Sequence, residues 1–266
     1  MIDVHCHLAD NKFKTDVDEV IKNALECGVT SMVAVAEFST QFEMLLDLHE
    51  RHEQVLIGIG VHPIQKRNKC VKEEHFHSVE NFLAVHHEKI SCIGEIGLDH
   101  TFTQFKLTEN DLKTQEEVFR RQIDLALHYQ LPVNVHSRSA AEHTVKILSE
   151  YSMGPDMVLL HAFDGDSSSA QRALDLGYSF SIPPSFQNSD RAKAIIEMCP
   201  IERILLETDS PALSPRKGER NEPKNLEISA KIISKVKNMT VEDVIEETTK
   251  NASKMFSFTS RSTLVM

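Results

Sequence analysis

The sequence predicts a TIM barrel, an α/β fold of eight β-α units closed into one sheet. Eight short runs rich in Val, Ile or Leu recur along the 266 residues, as fully buried parallel strands should. Segments with helical period separate them. The first run is followed by His5-Cys6-His7-Leu8. That is not the Gly-rich phosphate turn which the runner-up, an open doubly wound sheet, would need there.

Taken in order, Ile2–Cys6 is the first strand, and the next helix has the stripe Val17, Val20, Ile21, Ala24 and Leu25. Asp16 is its candidate N-cap and Gly28 its stop. Ser31–Val35 precedes a stripe of Phe42, Leu45, Leu46 and His49. Val55–Gly60 precedes a helix over Val79–His87, and Ile90–Ile96 precedes one carrying Val118, Ile123, Leu125, Ala126 and Tyr129. Pro132–His136, Met157–His161 and Tyr178–Ile182 alternate with helices over Ala140–Ser149, Ser168–Leu176 and Arg191–Met198. The last strand, Ile204–Glu207, opens into a polar loop, Ser214–Lys224, before a helix over Leu226–Val236. A final helix starts at Thr240, where Thr-Val-Glu-Asp has the form of a capping box. One domain over residues 1–256 is expected, with 257–266 a frayed tail that carries no lipidation signal.

Composition narrows the function. The chain is 41% hydrophobic, ample for a core, and its net charge is -11. Such a protein cannot coat nucleic acid through a broad basic surface, so any phosphate it handles must meet metals and a few local cations. Its five cysteines, Cys6, Cys27, Cys70, Cys92 and Cys199, include no C-x-x-C and read as reduced thiols of a cytosolic or nuclear protein. The N-terminus lacks a signal-peptide pattern, and no apolar stretch is long enough to span a bilayer. No obligatory protein partner is evident.

The strands of a barrel open their C-terminal ends on one face. There the first, fourth, fifth, sixth and eighth would present His5 and His7, Glu95, His136, His161 and Asp209. Six N/O donors suit one or two divalent ions such as zinc, manganese or magnesium. Strand alternation places Asp3, His5 and His7 on one side, and Ile2, Val4 and Cys6 on the other, toward the helices. Each residue has an ordinary reading too. A histidine after a strand is usually a polar loop residue, Glu95 near Gly94 and Gly97 could be a turn acid, and Asp209 could be a turn former. The case rests on their coincidence at five strand ends. His49, His52, His75, His77, His86 and His87 fall on helical or exposed stretches. Cations gather in the same loops: Lys66, Arg67 and Lys69, then Arg138, then Arg216, Lys217, Arg220 and Lys224. Arg138 is best placed for an anionic substrate oxygen.

Six motifs occur in order: His5-Cys6-His7-Leu8, Gly60-Val61-His62-Pro63, Gly94-Glu95-Ile96-Gly97-Leu98-Asp99, Pro132-Val133-Asn134-Val135-His136-Ser137-Arg138, His161-Ala162-Phe163 and Glu207-Thr208-Asp209-Ser210-Pro211. With Arg220-Asn221-Glu222-Pro223 they resemble the TatD family of metal-dependent deoxyribonucleases, from residue 1 to about residue 256. The resemblance implies a two- or three-metal centre that hydrolyses phosphodiester bonds of DNA or other nucleic acid, as an exonuclease. His5, His7 and Asp209 would hold one metal. Glu95 would bridge to a second, held also by His136 and His161, and Glu207 would join a third. A metal-activated water would attack, with Asp209 orienting it and accepting its proton. His62 and Arg138 would neutralise charge on the phosphate.

The chain departs from the family pattern at three places. His100, Thr101 and Phe102 follow Gly-Leu-Asp, where the family often has aromatics, Ala212 follows Asp-Ser-Pro in place of a bulky residue, and Asp164 follows His-Ala-Phe in place of Ser. Fewer rings would weaken base stacking, and an acid at 164 would repel a phosphate or attract another cation. The same centre also suits another ester or amide, such as D-aminoacyl-tRNA, because the fold alone does not choose the substrate. A scaffold protein with vestigial catalysis is a third reading, which the complete ligand set opposes.

Overall fold

The structure, a computed structural model, describes residues 1–256. The expected tail, 257–266, lies outside the described residues. In chain order the strands are β1 (Ile2–Cys6), β2 (Ser31–Val35), β3 (Val55–Gly58), β4 (Ile64–Gln65), β5 (Lys69–Cys70), β6 (Ile90–Gly97), β7 (Val133–His136), β8 (Val158–Leu160), β9 (Ser179–Ile182) and β10 (Ile204–Leu206). The helices are α1 (Val17–Glu26), α2 (Phe42–Arg51), α3 (Glu73–His86), α4 (Phe102–Phe105), α5 (Glu109–Tyr129), α6 (Ala141–Ser149), α7 (Ser167–Asp175), α8 (Asp190–Met198), α9 (Leu226–Lys237) and α10 (Val241–Phe256). Eight strands form one sheet in the order β1-β2-β3-β6-β7-β8-β9-β10, every ladder parallel. The β4–β5 hairpin and the single turn of α4 are additions with no periodic signal, because each is too short to show one.

Local chemistry explains most boundaries. α1 stops at Gly28, whose φ of +83° a side chain would disfavour. α10 starts where Thr240 accepts from the Asp243 N–H at 3.0 Å. Asp16 occupies the N-cap of α1 without making the expected cap bond. Its carboxylate instead takes both arms of the Arg220 guanidinium, at 3.0 and 2.7 Å, a stronger charge-assisted pairing than a neutral N–H offers.

Two apolar layers result. The outer one packs strand residues such as Met32, Ile57, Val133 and Leu160 against helix residues such as Val20, Leu45, Phe119 and Ile195. The inner one fills the barrel with Ile2, Val4, Val33, Val35, Cys92, Leu159 and Leu205, plugged by Ala252, Met255 and Phe256 of α10. Ile2 and Val4 therefore face inward, which overturns the simple alternation expected for β1. The ladder with β2 slips between Asp3 and Cys6. This bulge lets His5 reach the inside although Val4 already points there, and returns Cys6 to the helix side. β6 slips in the same way between Gly94 and Ile96, at Glu95. Gly94 is required beside that bulge: a Cβ there would lie 2.7 Å from that of Asn134.

Among the described residues no regular ladder joins β10 to β1. The seam closes through Asp3, whose carboxylate accepts from the Thr208 N–H at 3.0 Å and from the Thr208 hydroxyl. Two main-chain bonds complete it at the rim, Asp209 N–H to the His5 carbonyl at 2.9 Å and His7 N–H to the Ser210 carbonyl at 2.7 Å.

Candidate metal centre

Strand ends bring His5, His7, Glu95, His136, His161 and Asp209 together, all of them buried. Glu95 stands in the middle. Its Oε1 lies 2.8 Å from His136 Nδ1 and 2.9 Å from His161 Nε2. Its Oε2 lies 3.5 Å from His7 Nε2 and 3.8 Å from His5 Nε2. Asp209 Oδ1 closes the second group at 3.1 Å from His7 Nε2 and 3.5 Å from His5 Nε2. Asp209 has φ +53°, a left-handed conformation uncommon outside glycine that turns its carboxylate back over the mouth.

The imidazoles face one another nitrogen to nitrogen. His5 Nε2 and His7 Nε2 are 3.2 Å apart, and so are His136 Nδ1 and His161 Nε2. Outer partners dictate what these nitrogens offer. His5 Nδ1 donates to Asn134 Oδ1 at 2.8 Å, because the Asn134 amide already donates to the Val4 carbonyl at 3.0 Å. His136 Nε2 donates to Asp99 Oδ2 at 3.1 Å. The opposite nitrogen of each ring is thereby left with a lone pair turned to the centre, the arrangement of a metal ligand. The residues present thus fit divalent cations on both sides of Glu95. Sequence reasoning quoted Asp99 and Asn134 within motifs but gave them no role.

The electrostatics agree. Burial alone would depress the His7 pKa, but Glu37, Glu95 and Asp209 overcome it and push it up to about 10. His161 rises to about 10 as well, where Glu95 and Glu207 outweigh burial. Burial favours neutral Asp209 and Glu95, yet the surrounding histidines hold both carboxyls well below their usual range. A pocket that gathers this much negative charge calls for cations, and without metal it holds protons in their place.

The remaining expected residues sit around this core. His62 Nε2 lies 3.6 Å from Glu95 Oε1, and burial pushes its pKa down to about 3. Arg138 lies at the rim, 3.8 Å from Asp99 Oδ2 with its side chain 46% exposed. Glu207 stands behind His161, not among the facing donors. Its oxygens accept from the Ala162 N–H at 2.8 Å and the Ser181 hydroxyl at 2.7 Å, and Oε2 is 3.7 Å from His161 Nδ1.

Above the centre lies a cleft of about 380 Å³, lined among others by Phe38, Lys66 and Phe105. The mouth is therefore richer in rings than the departures at 100–102 and 212 suggest. Lys66 Nζ sits 5.4 Å over the Phe38 ring. A smaller recess of about 170 Å³ on another side holds Arg138, Asp164 and Phe186.

The family model described as TatD related DNase matches residues 2–257. The chain belongs to the TatD-related DNase family. It is 43% identical to the human deoxyribonuclease TATDN3 over 96% of this chain and 94% of that protein. It is 33% identical to YabD, an uncharacterized metal-dependent hydrolase of Bacillus subtilis, over 96% of this chain and 98% of that one. Among solved structures, the Escherichia coli TatD homologue YJJV superposes with a TM-score of 0.87 at 23% identity, covering 97% of this chain and 98% of its own. At that identity the family member supports the fold, a TIM barrel, independently of the strand order described above.

Proposed function

We propose that the barrel over residues 1–256 is a metal-dependent deoxyribonuclease that hydrolyses phosphodiester bonds of DNA, working from a strand end. One observation carries the reading: two facing histidine pairs share one carboxylate, Glu95, at the open mouth of the barrel. His5, His7 and Asp209 would hold one ion and His136 and His161 another, with Glu95 between them; the mixed N/O donors suit zinc, manganese or magnesium. Such ions polarise a phosphate and lower the pKa of bound water toward neutrality.

The chain's own groups do the rest. Asp209, ionised at neutral pH, orients the attacking water and accepts its proton. Arg138 supplies positive charge to the phosphate oxygens. His62 is neutral at working pH, so its contribution is a hydrogen bond, not the charge expected from the motif. Glu207 stands 3.7 Å behind His161 Nδ1, and each of its oxygens accepts one hydrogen bond, so its remaining lone pairs are what it would offer a third ion. Cutting at an end is favoured by the smallness of the recess and by Asp164 beside it, which leave little room for a continuing strand. All five cysteines are free, and among the described residues no helix is long and apolar enough to cross a membrane. The free thiols suit a reducing compartment, cytosol or nucleus.

The test is metal-dependent release of nucleotides from single- and double-stranded DNA by the parent protein and by Asp209→Asn, which keeps size and removes the base. Equal rates would falsify the role of Asp209. Turnover confined to carboxyl esters or misacylated tRNA would move the centre to acyl chemistry.

A further inference from the structure

The catalytic cleft does not end at the centre. Lys12, Pro211 and Ala212 line it and also line a second depression of about 460 Å³, whose far side is the loop carrying Arg216 and Lys217. Lys12 and Lys217 are exposed, and neither ammonium has a side-chain partner among the described residues. Arg216 has a single loose ion pair, 3.7 Å from Glu219, and its side chain is 79% exposed. On a chain of net charge -11, unpaired cations beside the centre are conspicuous, since the general field repels a polyanion.

The two banks of this groove are braced together. Arg220 reaches from the loop to the Lys12 carbonyl at 2.8 Å and takes the Asp16 carboxylate with both arms. It also bonds Glu222 at 2.9 Å and lies 4.9 Å over the Phe13 ring. Asn221 ties the same loop to the end of β10, donating to the Thr208 carbonyl at 2.8 Å. The Arg220-Asn221-Glu222 run thus ties the base of the Arg216–Lys217 loop to the backbone at Lys12.

We propose that the groove between Lys12 and the Arg216–Lys217 loop binds the phosphodiester backbone of the DNA strand beside the cut. The inference rests on the nuclease reading and extends it. Lys12 and Lys217 each meet a flanking phosphate, which anchors the strand without reading its sequence. Arg220 is a positioning residue that touches no DNA.

The experiment compares the metal-loaded parent with the Lys12→Ala/Lys217→Ala double variant on two substrates. One is a fluorescein-labelled single-stranded oligonucleotide, followed by equilibrium binding and by cleavage. The other is the p-nitrophenyl ester of thymidine monophosphate, which has no flanking phosphate. For the oligonucleotide, Kd and KM should rise about tenfold near 0.1 M salt, and the slope of log affinity against log salt should become shallower by about 1.4, or about 0.7 for each phosphate that no longer meets a lysine. Turnover of the small ester should not change. Unaltered oligonucleotide affinity and salt slope, or an equal loss on both substrates, would overturn the track. The two claims fail separately: a parent that binds but cleaves neither substrate loses the nuclease reading and keeps the track, whereas a double variant identical to an active parent does the reverse.

Discussion

His136 is hydrogen-bonded from behind by a carboxylate, Asp99 at 3.1 Å, whereas Glu207 faces His161 Nδ1 at 3.7 Å, a charge behind the ring with no hydrogen bond to it. His5 has an amide, Asn134, and the Nδ1 of His7 is buried with no hydrogen-bond partner. A carboxylate behind an imidazole raises its basicity and fixes its orientation. The half built on β6, β7 and β8 should therefore grip its ion more tightly, and the half built on β1 and the turn after β10 should exchange. On the proposed reading the asymmetry would also divide labour, because the side expected to hold its ion more weakly contains Asp209, the group proposed to take the proton.

The strongest challenge to this comparison is Glu95→Gln. Glu95 serves both halves, so metal content should fall on both sides and turnover should drop below that of any other single variant; elemental analysis with a nuclease assay decides. Asp209→Asn should be next, with turnover lower by about 10² to 10⁴ while one ion per chain is retained on the Glu95–His136–His161 side. Loss of both ions would show that the halves are not separable. Asp99→Asn should weaken metal affinity by about 10- to 100-fold, and titration with a limiting chelator should reverse the order in which the two ions leave the parent.

A smaller effect separates metal-free from metal-loaded protein. In the metal-free chain His7 and His161 have pKa values raised to about 10 from the ordinary 6.5. The sign is that of a cation stabilised by folding: its contribution is complete below about pH 6.5 and is lost as pH rises toward 10. The Tm of the metal-free protein should therefore fall across that range, and metal binding at pH 7 should release protons, measurable by calorimetry in buffers of different ionisation enthalpy. A flat Tm would remove the protonated histidine pair.

The sequence carried the barrel and the ligands for a shared reason. Buried parallel strands such as Ser31–Val35 are continuous apolar runs, and donors at their ends stand out against them. What it concealed depends on departures from a regular pleat. Alternation assumes one residue per step, so the bulges at His5 and Glu95 were invisible, and Asp3 was grouped with the ligands when it is the clasp of the seam. Asn134 and Asp99 are ordinary polar residues in sequence and acquire meaning from rings 129 and 37 positions away. Phe105 reaches the cleft from a four-residue helix, and Glu207 is turned from the donors by Ser181, a residue on a neighbouring strand.

The clasp has a consequence for how activity is lost on heating. Every other pair of adjacent barrel strands is zipped by a ladder, while β1 and β10 depend on one carboxylate and two rim bonds whose donors are His7 and Asp209 themselves. Breathing of the sheet should begin there. Deuterium should reach the His7 and Asp209 amides ahead of those in β7, and the enzyme should fall silent at temperatures where circular dichroism still reports an intact barrel.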